Sequence, residues 1–81
     1  MTIDRFSIVL RQLREERGWS QEQLAERADL NRSYLGEVER GRAVPSIVTV
    51  SKLAVALEIR LSSMIARCEH ARSNKSIYAP E

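Results

Sequence analysis

The sequence predicts an all-α fold, a single domain of five short helices, on three observations. Apolar residues recur at helical spacing, as Phe6, Leu10 and Leu13 do early in the chain and Val50, Leu53 and Leu57 later. Residues that start or stop helices stand at the edges of those runs: Ser20, Asn31 and Ser46 before them, Gly18 and Gly41 after them. No window alternates apolar and polar side chains as a strand does.

The first helix is placed at residues 3–17, a stretch free of Gly and Pro, with Gly18 supplying the left-handed residue that ends it. Ser20 followed by Gln23 fits a capping box, so a short second helix starts at Gln21, with Leu24, Ala25 and Ala28 inward. Asp29, Leu30 and Asn31 form a tight turn in which Leu30 dips toward the core and Asn31 caps the third helix, at residues 32–40. At 100° per residue, Leu35, Val38 and Glu39 point one way, and Ser33, Gly36, Glu37 and Arg40 the other. Pro45 and Ser46 lead into a fourth helix at residues 47–57, with Ile47, Val50, Leu53, Ala54 and Leu57 toward the core. Ser62 caps a fifth that runs through Met64, Ile65 and Cys68 toward Arg72. The polar end of the chain, with Pro80, reads as a flexible tail over residues 74–81, leaving residues 1–73 as the domain.

Composition narrows the function classes. At 81 residues the chain is one domain with no room for a second, ligand-sensing one, so no small-molecule ligand or cofactor is expected. The single cysteine, Cys68, cannot form an internal disulfide, no apolar run is long enough to cross a bilayer, and no signal-peptide pattern opens the chain, so a reduced, cytoplasmic protein away from membranes is expected. Cys68 and the single His70 are two apart and point in different directions on a helix, which leaves no zinc set. Ser33 and Ser46 lie far along the chain from that histidine, so no nucleophile is paired with a base and no enzyme is expected. Thirteen basic against eleven acidic residues give a net charge of +2, so attraction to a polyanion depends on where the charges sit.

They sit unevenly. The stretch SQEQLAERADLNRSYLGEVERG, residues 20–41, holds few large apolar side chains among many directional donors and acceptors. A short capped helix, a tight turn and a helix with such an exposed side are what reading bases in the major groove requires. On charge alone Arg32, Glu37 and Arg40 would be solvated surface; the bihelical frame around them favours recognition. A guanidinium at Arg32 can pair with guanine O6 and N7, Ser33 can donate or accept, and a carboxylate at Glu37 can accept from cytosine N4. Gly36 between them lets the helix sit deep, and Asn31, Tyr34, Arg40 and Arg42 ring the patch where phosphates pass.

The stretch REERGWSQEQLAERADLNRSYLGEVERGRAVPS with KLAVAL, covering about residues 5 to 66, resembles the Cro/cI or Xre family of helix-turn-helix proteins. The likeness combines Arg14, Gly18, Ser20-Gln21, Leu24-Ala25, Leu30, Glu39-Arg40-Gly41, Pro45-Ser46 and Leu53-Ala54, and NRSYLGEVERGR is similar to the DRTYISGIERG pattern of small restriction-modification controller proteins. The resemblance implies a compact five-helix, lambda-repressor-like DNA-binding domain. It further implies that Gln21 touches the phosphate backbone, that Arg32, Ser33 and Glu37 reach base edges, and that Arg14 and Glu39 form a salt bridge tying the first helix to the third. Two positions depart from the family pattern: Asp29 stands where the turn usually has Gly, and Ala43 where several controllers carry a basic residue, so no strong minor-groove contact is expected from that loop.

Val48 and Val55 lie seven apart, away from the inward side of the fourth helix, which commonly joins members of the family. With Met64 and Ile65 nearby, they make a homodimer on a palindromic site of double-stranded DNA the expected state. A phage-type repressor, a restriction-modification controller and an antitoxin acting on its own promoter all fit. The alternative is a protein-interaction module that uses the same frame to bind a partner such as a toxin, with weak or no specific DNA binding.

Overall fold

A computed structural model describes the backbone of residues 3–76 and the side-chain surroundings of residues 5–70. Its helices are α1 (Ile3–Glu16), α2 (Gln21–Arg27), α3 (Arg32–Glu39), α4 (Ile47–Ala56) and α5 (Leu61–Ser76). α1 packs on α3 and α5, α2 on α3 and α4, and α4 on α5. Every helix places at least one large side chain in full burial: Leu10, Leu24, Leu35, Leu53 and Met64 in turn. Truncating any of these to Ala in so small a core costs about 2–5 kcal/mol. Trp19 covers the edge of this core, half-buried, with the guanidinium of Arg27 4.3 Å and that of Arg17 5.6 Å from its ring centre.

Four of the sequence expectations need correction. Ile47 is 65 % exposed although its angular position matches Val50; it is the first residue of α4, and the core-facing places in that turn belong to Thr49 and Val50. Met64, expected near a dimer surface, is fully buried: with Cys68 four residues on, it forms the stripe of α5 that enters the core where α5 meets α1 and α4. Ser62 does not cap α5, because the helix already begins at Leu61 and Met64 N–H donates to the Arg60 carbonyl. The same helix reaches Ser76, past the expected boundary at residue 73, while residues 77–81 of the expected tail lie outside the described residues. Val9, buried in α1, was not among the residues read as core. Burial raises the pKa of the Cys68 thiol, so at neutral pH it stays protonated and behaves as a small apolar side chain. Among the described residues no helix is long and apolar enough to cross a membrane.

Helices α1 to α4 all end the same way. The amide after the left-handed residue returns to a carbonyl five residues back, as Trp19 does to Arg14, Leu30 to Ala25, Arg42 to Glu37 and Ile59 to Ala54. Gly18 and Gly41 occupy two of the left-handed positions, but Asp29 (φ 55°) and Glu58 (φ 57°) occupy the others. A side chain there costs about 1–2 kcal/mol of backbone strain, against about 0.5–1 kcal/mol of unfolded-state entropy that glycine would add. Glu58→Gly is therefore expected to raise Tm by a few degrees and Asp29→Gly by less, since Asp visits this region more readily. The exposed Glu58–Arg17 pair at 3.3 Å is too weak to reverse the sign. Thermal unfolding checks this, and a fall in Tm for both variants would contradict it.

Candidate nucleic-acid interface

Local hydrogen bonds fix the two helices that carry the interface. Ser20 Oγ accepts from Gln23 N–H at 3.1 Å while Ser20 N–H donates to Gln23 Oε1 at 2.8 Å, a complete capping box that sets the first turn of α2 at Gln21. Leu30, half-buried against the core, closes the turn, and Asn31 Oδ1 accepts from Tyr34 N–H at 3.2 Å to start α3. The side-chain oxygen of Asn31 is thus occupied in capping, and Tyr34 packs partly against the core.

A buried ionic network holds α3 at its angle. Arg14 Nε donates to Glu39 Oε2 at 2.7 Å and Nη2 to Oε1 at 3.0 Å, and Nη1 reaches the Trp19 carbonyl at 2.8 Å. The Glu39 side chain is 0 % exposed and that of Arg14 12 %. The hydrogen bond to Glu39 pushes the Arg14 guanidinium above its usual pKa, against the opposing effect of burial and with help from the nearby charges of Glu39 and Glu15. Gln21 Nε2 adds a further bond to Glu39 Oε1 at 2.9 Å. An ionised carboxylate only accepts, so the Gln21 amide must turn its nitrogen inward and its Oε1 out. One network therefore joins α1, the loop after it, α2 and α3, and the residues that the family likeness paired, Arg14 and Glu39, form its centre.

On the opposite side of α3, Gln21, Arg32, Ser33, Gly36, Glu37 and Arg40 line one groove of about 160 Å³. All three residues expected to reach bases are in it, Arg32 and Ser33 exposed and Glu37 half-buried. Arg40 and Gln21, expected on the phosphates, line the same groove rather than its rim. Arg40 Nη1 donates to Glu37 Oε2 at 2.7 Å. The bare space expected over Gly36 is filled: a Cβ there would lie 3.3 Å from Arg40 Nη1 and 3.5 Å from Gln21 Oε1.

Arg42 lines a second cleft, of about 500 Å³, between α1 and the end of α3, together with Arg11, Arg40, Ser7 and Gln12. Arg11 was not among the expected site residues. Helical spacing in α1 marks only its apolar stripe, and the one available signal is that Arg11 lies off that stripe, three residues after the exposed Ile8. Of the expected dimer residues, Val48 is 61 % and Val55 77 % exposed and Ile65 is half-buried; Val44 and Ile47 add to the exposed apolar surface before and within α4.

A helix-turn-helix family model matches residues 10–63. The chain is 36% identical over 75 residues, 93% of its length, to the HTH-type transcriptional regulator SutR of Escherichia coli, and covers 41% of that protein. It is 36% identical over 66 residues to the control protein C.MunI of a Mycoplasma species, covering 80% of this chain and 89% of that one. The crystal structure of the restriction-modification controller protein C.AhdI from Aeromonas hydrophila superposes with a TM-score of 0.74 at 45% identity, covering 76% of this chain and 94% of that one. The chain spans well under two thirds of the length of SutR.

Proposed function

From the premise that this chain belongs to the helix-turn-helix family, its residues 10–63 matching that family's model, we propose that it is a transcriptional regulator that binds a palindromic DNA site as a homodimer. The outer side of α3 lies in the major groove. Arg32, Ser33 and the Glu37–Arg40 pair face the bases. Gln21, Asn31, Tyr34 and Arg42 contact phosphates, and Arg11, across the second cleft, extends that track. Val48, Val55 and Ile65 meet their counterparts in the second subunit.

The observation that carries this reading is the division of α3 into two sides. Leu35, Val38 and Glu39 are buried and fix the helix, while Arg32, Ser33, Glu37 and Arg40 converge with Gln21 on one open groove. A helix so furnished matches the directional donors and acceptors of the major-groove edges. The similarity to transcriptional regulators and to restriction-modification controllers supports the same reading.

Selection from randomised duplexes tests it. The expected product is an inverted repeat whose half-sites are centred about 34–36 Å apart, one turn of DNA, because a two-fold dimer reads a two-fold site. A pool that stays random would reject the proposal and leave the same bihelical frame as a protein-binding module.

A further inference from the structure

We propose that Arg40 is, beside Arg32, a second guanine-reading residue of the α3 groove, seated on Gly36 and held in place by Glu37. This assignment rests on α3 being the helix that enters the major groove. Arg40 Nη1 is bound to Glu37 Oε2 at 2.7 Å, and the guanidinium lies across the backbone of Gly36, with Nη1 3.3 Å and Nη2 3.6 Å from where a Cβ would stand. Gln21 Oε1, 3.5 Å from the same point, closes the other side, and Gln21 is itself fixed through Glu39. Both partners stay open to solvent, the Arg40 side chain at 50 % and that of Glu37 at 42 %.

The donor count fits the role. A guanidinium carries five N–H groups; Glu37 engages one on Nη1, leaving one on that nitrogen and two on Nη2, enough for the fork that matches O6 and N7 of guanine. A carboxylate has two oxygens and about four acceptor sites, so Glu37 can hold Arg40 through Oε2 and still accept from a base. An exposed pair three residues apart on a helix adds little to stability, so its consequence is geometric: it limits the conformations that Arg40 must give up on binding. Glu37 is thereby a positioning residue.

The test measures binding of the wild-type chain, Arg40→Ala, Glu37→Ala, Glu37→Gln and Gly36→Ala to the selected duplex and to its single-base variants, with the salt dependence of each. Arg40→Ala is expected to erase a preference of about 10-fold or more for guanine at one position of each half-site, leaving the slope of log affinity against log salt unchanged. Glu37→Ala weakens that same preference, and Glu37→Gln, whose amide oxygen still accepts, restores part of it. Gly36→Ala weakens it too by displacing the guanidinium, yet leaves Tm equal or higher, because alanine favours the helix and Arg40 is flexible enough to move aside. The assignment is overturned if Arg40→Ala lowers affinity for all sequences alike and the slope falls by about 0.9 per lost phosphate contact. A cytosine preference that vanishes in Glu37→Ala while the guanine preference stays would overturn it as well. In both cases α3 remains the reading helix; a wild-type chain that selects no sequence would remove that premise and the assignment together.

Discussion

Glu39→Ala is expected to lower the stability of the domain by about 3–5 kcal/mol, because it strands the guanidinium of Arg14 in a site 12 % exposed with only the Trp19 carbonyl for a partner. The Gln21 amide loses its acceptor in the same step. Domains of this size hold together by only about 5–15 kcal/mol, so the variant is partly unfolded near the upper end of the working temperature range. Urea unfolding reads the effect as a lower midpoint at unchanged slope. The double variant Arg14→Met with Glu39→Met separates the explanations. If the loss comes from an unpaired buried charge, removing both charges and filling the space is less damaging than removing Glu39 alone. If both variants are equally damaged, the network acts through shape rather than charge.

The outer pair between Arg67 and Glu16, at 2.9 Å, is a built-in contrast. The hydrogen bond from Arg67 holds the Glu16 carboxyl below its ordinary pKa, against the opposing effect of desolvation and with the charge of Arg67 adding to the lowering. A carboxylate with a lowered folded-state pKa favours the fold above its ordinary pKa, and that benefit disappears as pH falls through the lowered value. With Glu16 facing solvent, screening keeps the contribution small.

DNA affinity is expected to fall by two orders of magnitude or more between 50 and 200 mM salt. Each phosphate neutralised by a cation contributes about −0.9 to the slope of log affinity against log salt. On the proposed dimer, Arg11 and Arg42 of both subunits would make four such contacts, which corresponds to a slope of about −3.6 and roughly a 150-fold loss. With 6 to 10 contacts the loss becomes about 10³ to 10⁵. The net charge of only +2 cannot produce this at long range, so the steepness would report local contacts. Arg11→Ala and Arg42→Ala are each expected to flatten the slope by about 1.8 per dimer and to weaken all sequences alike. A flat salt profile for the wild-type chain would mean that no phosphates are engaged.

The sequence disclosed most where one residue decides a local structure. Ser20 with Gln23 and Asn31 with Tyr34 set helix starts through their own side chains, and these starts appear where the pattern put them. The inward and outward sides of α3 followed from helical geometry alone. What escaped depends on neighbours. Angular position tells the side on which Ile47 and Met64 lie but not whether another helix covers them, and the two depart from expectation in opposite directions, Ile47 exposed and Met64 buried. The return of Arg40 over Gly36 was hidden for a related reason: a helical projection locates Cβ atoms, whereas a long side chain can fold back a full turn. The left-handed Glu58 gave no signal, since nothing in a glutamate announces a positive φ.

The base preference of Arg32→Ala compared with that of Arg42→Ala, each scored on the duplex that the unaltered chain selects, tests most directly whether the exposed side of α3 reads DNA. Arg32→Ala is predicted to relax the preference at one symmetric pair of positions, by about 1–3 kcal/mol, while Arg42→Ala keeps the motif intact and weakens every site equally. An unchanged motif with Arg32→Ala, or a motif altered only by substitutions on α4 or α5, would contradict the account.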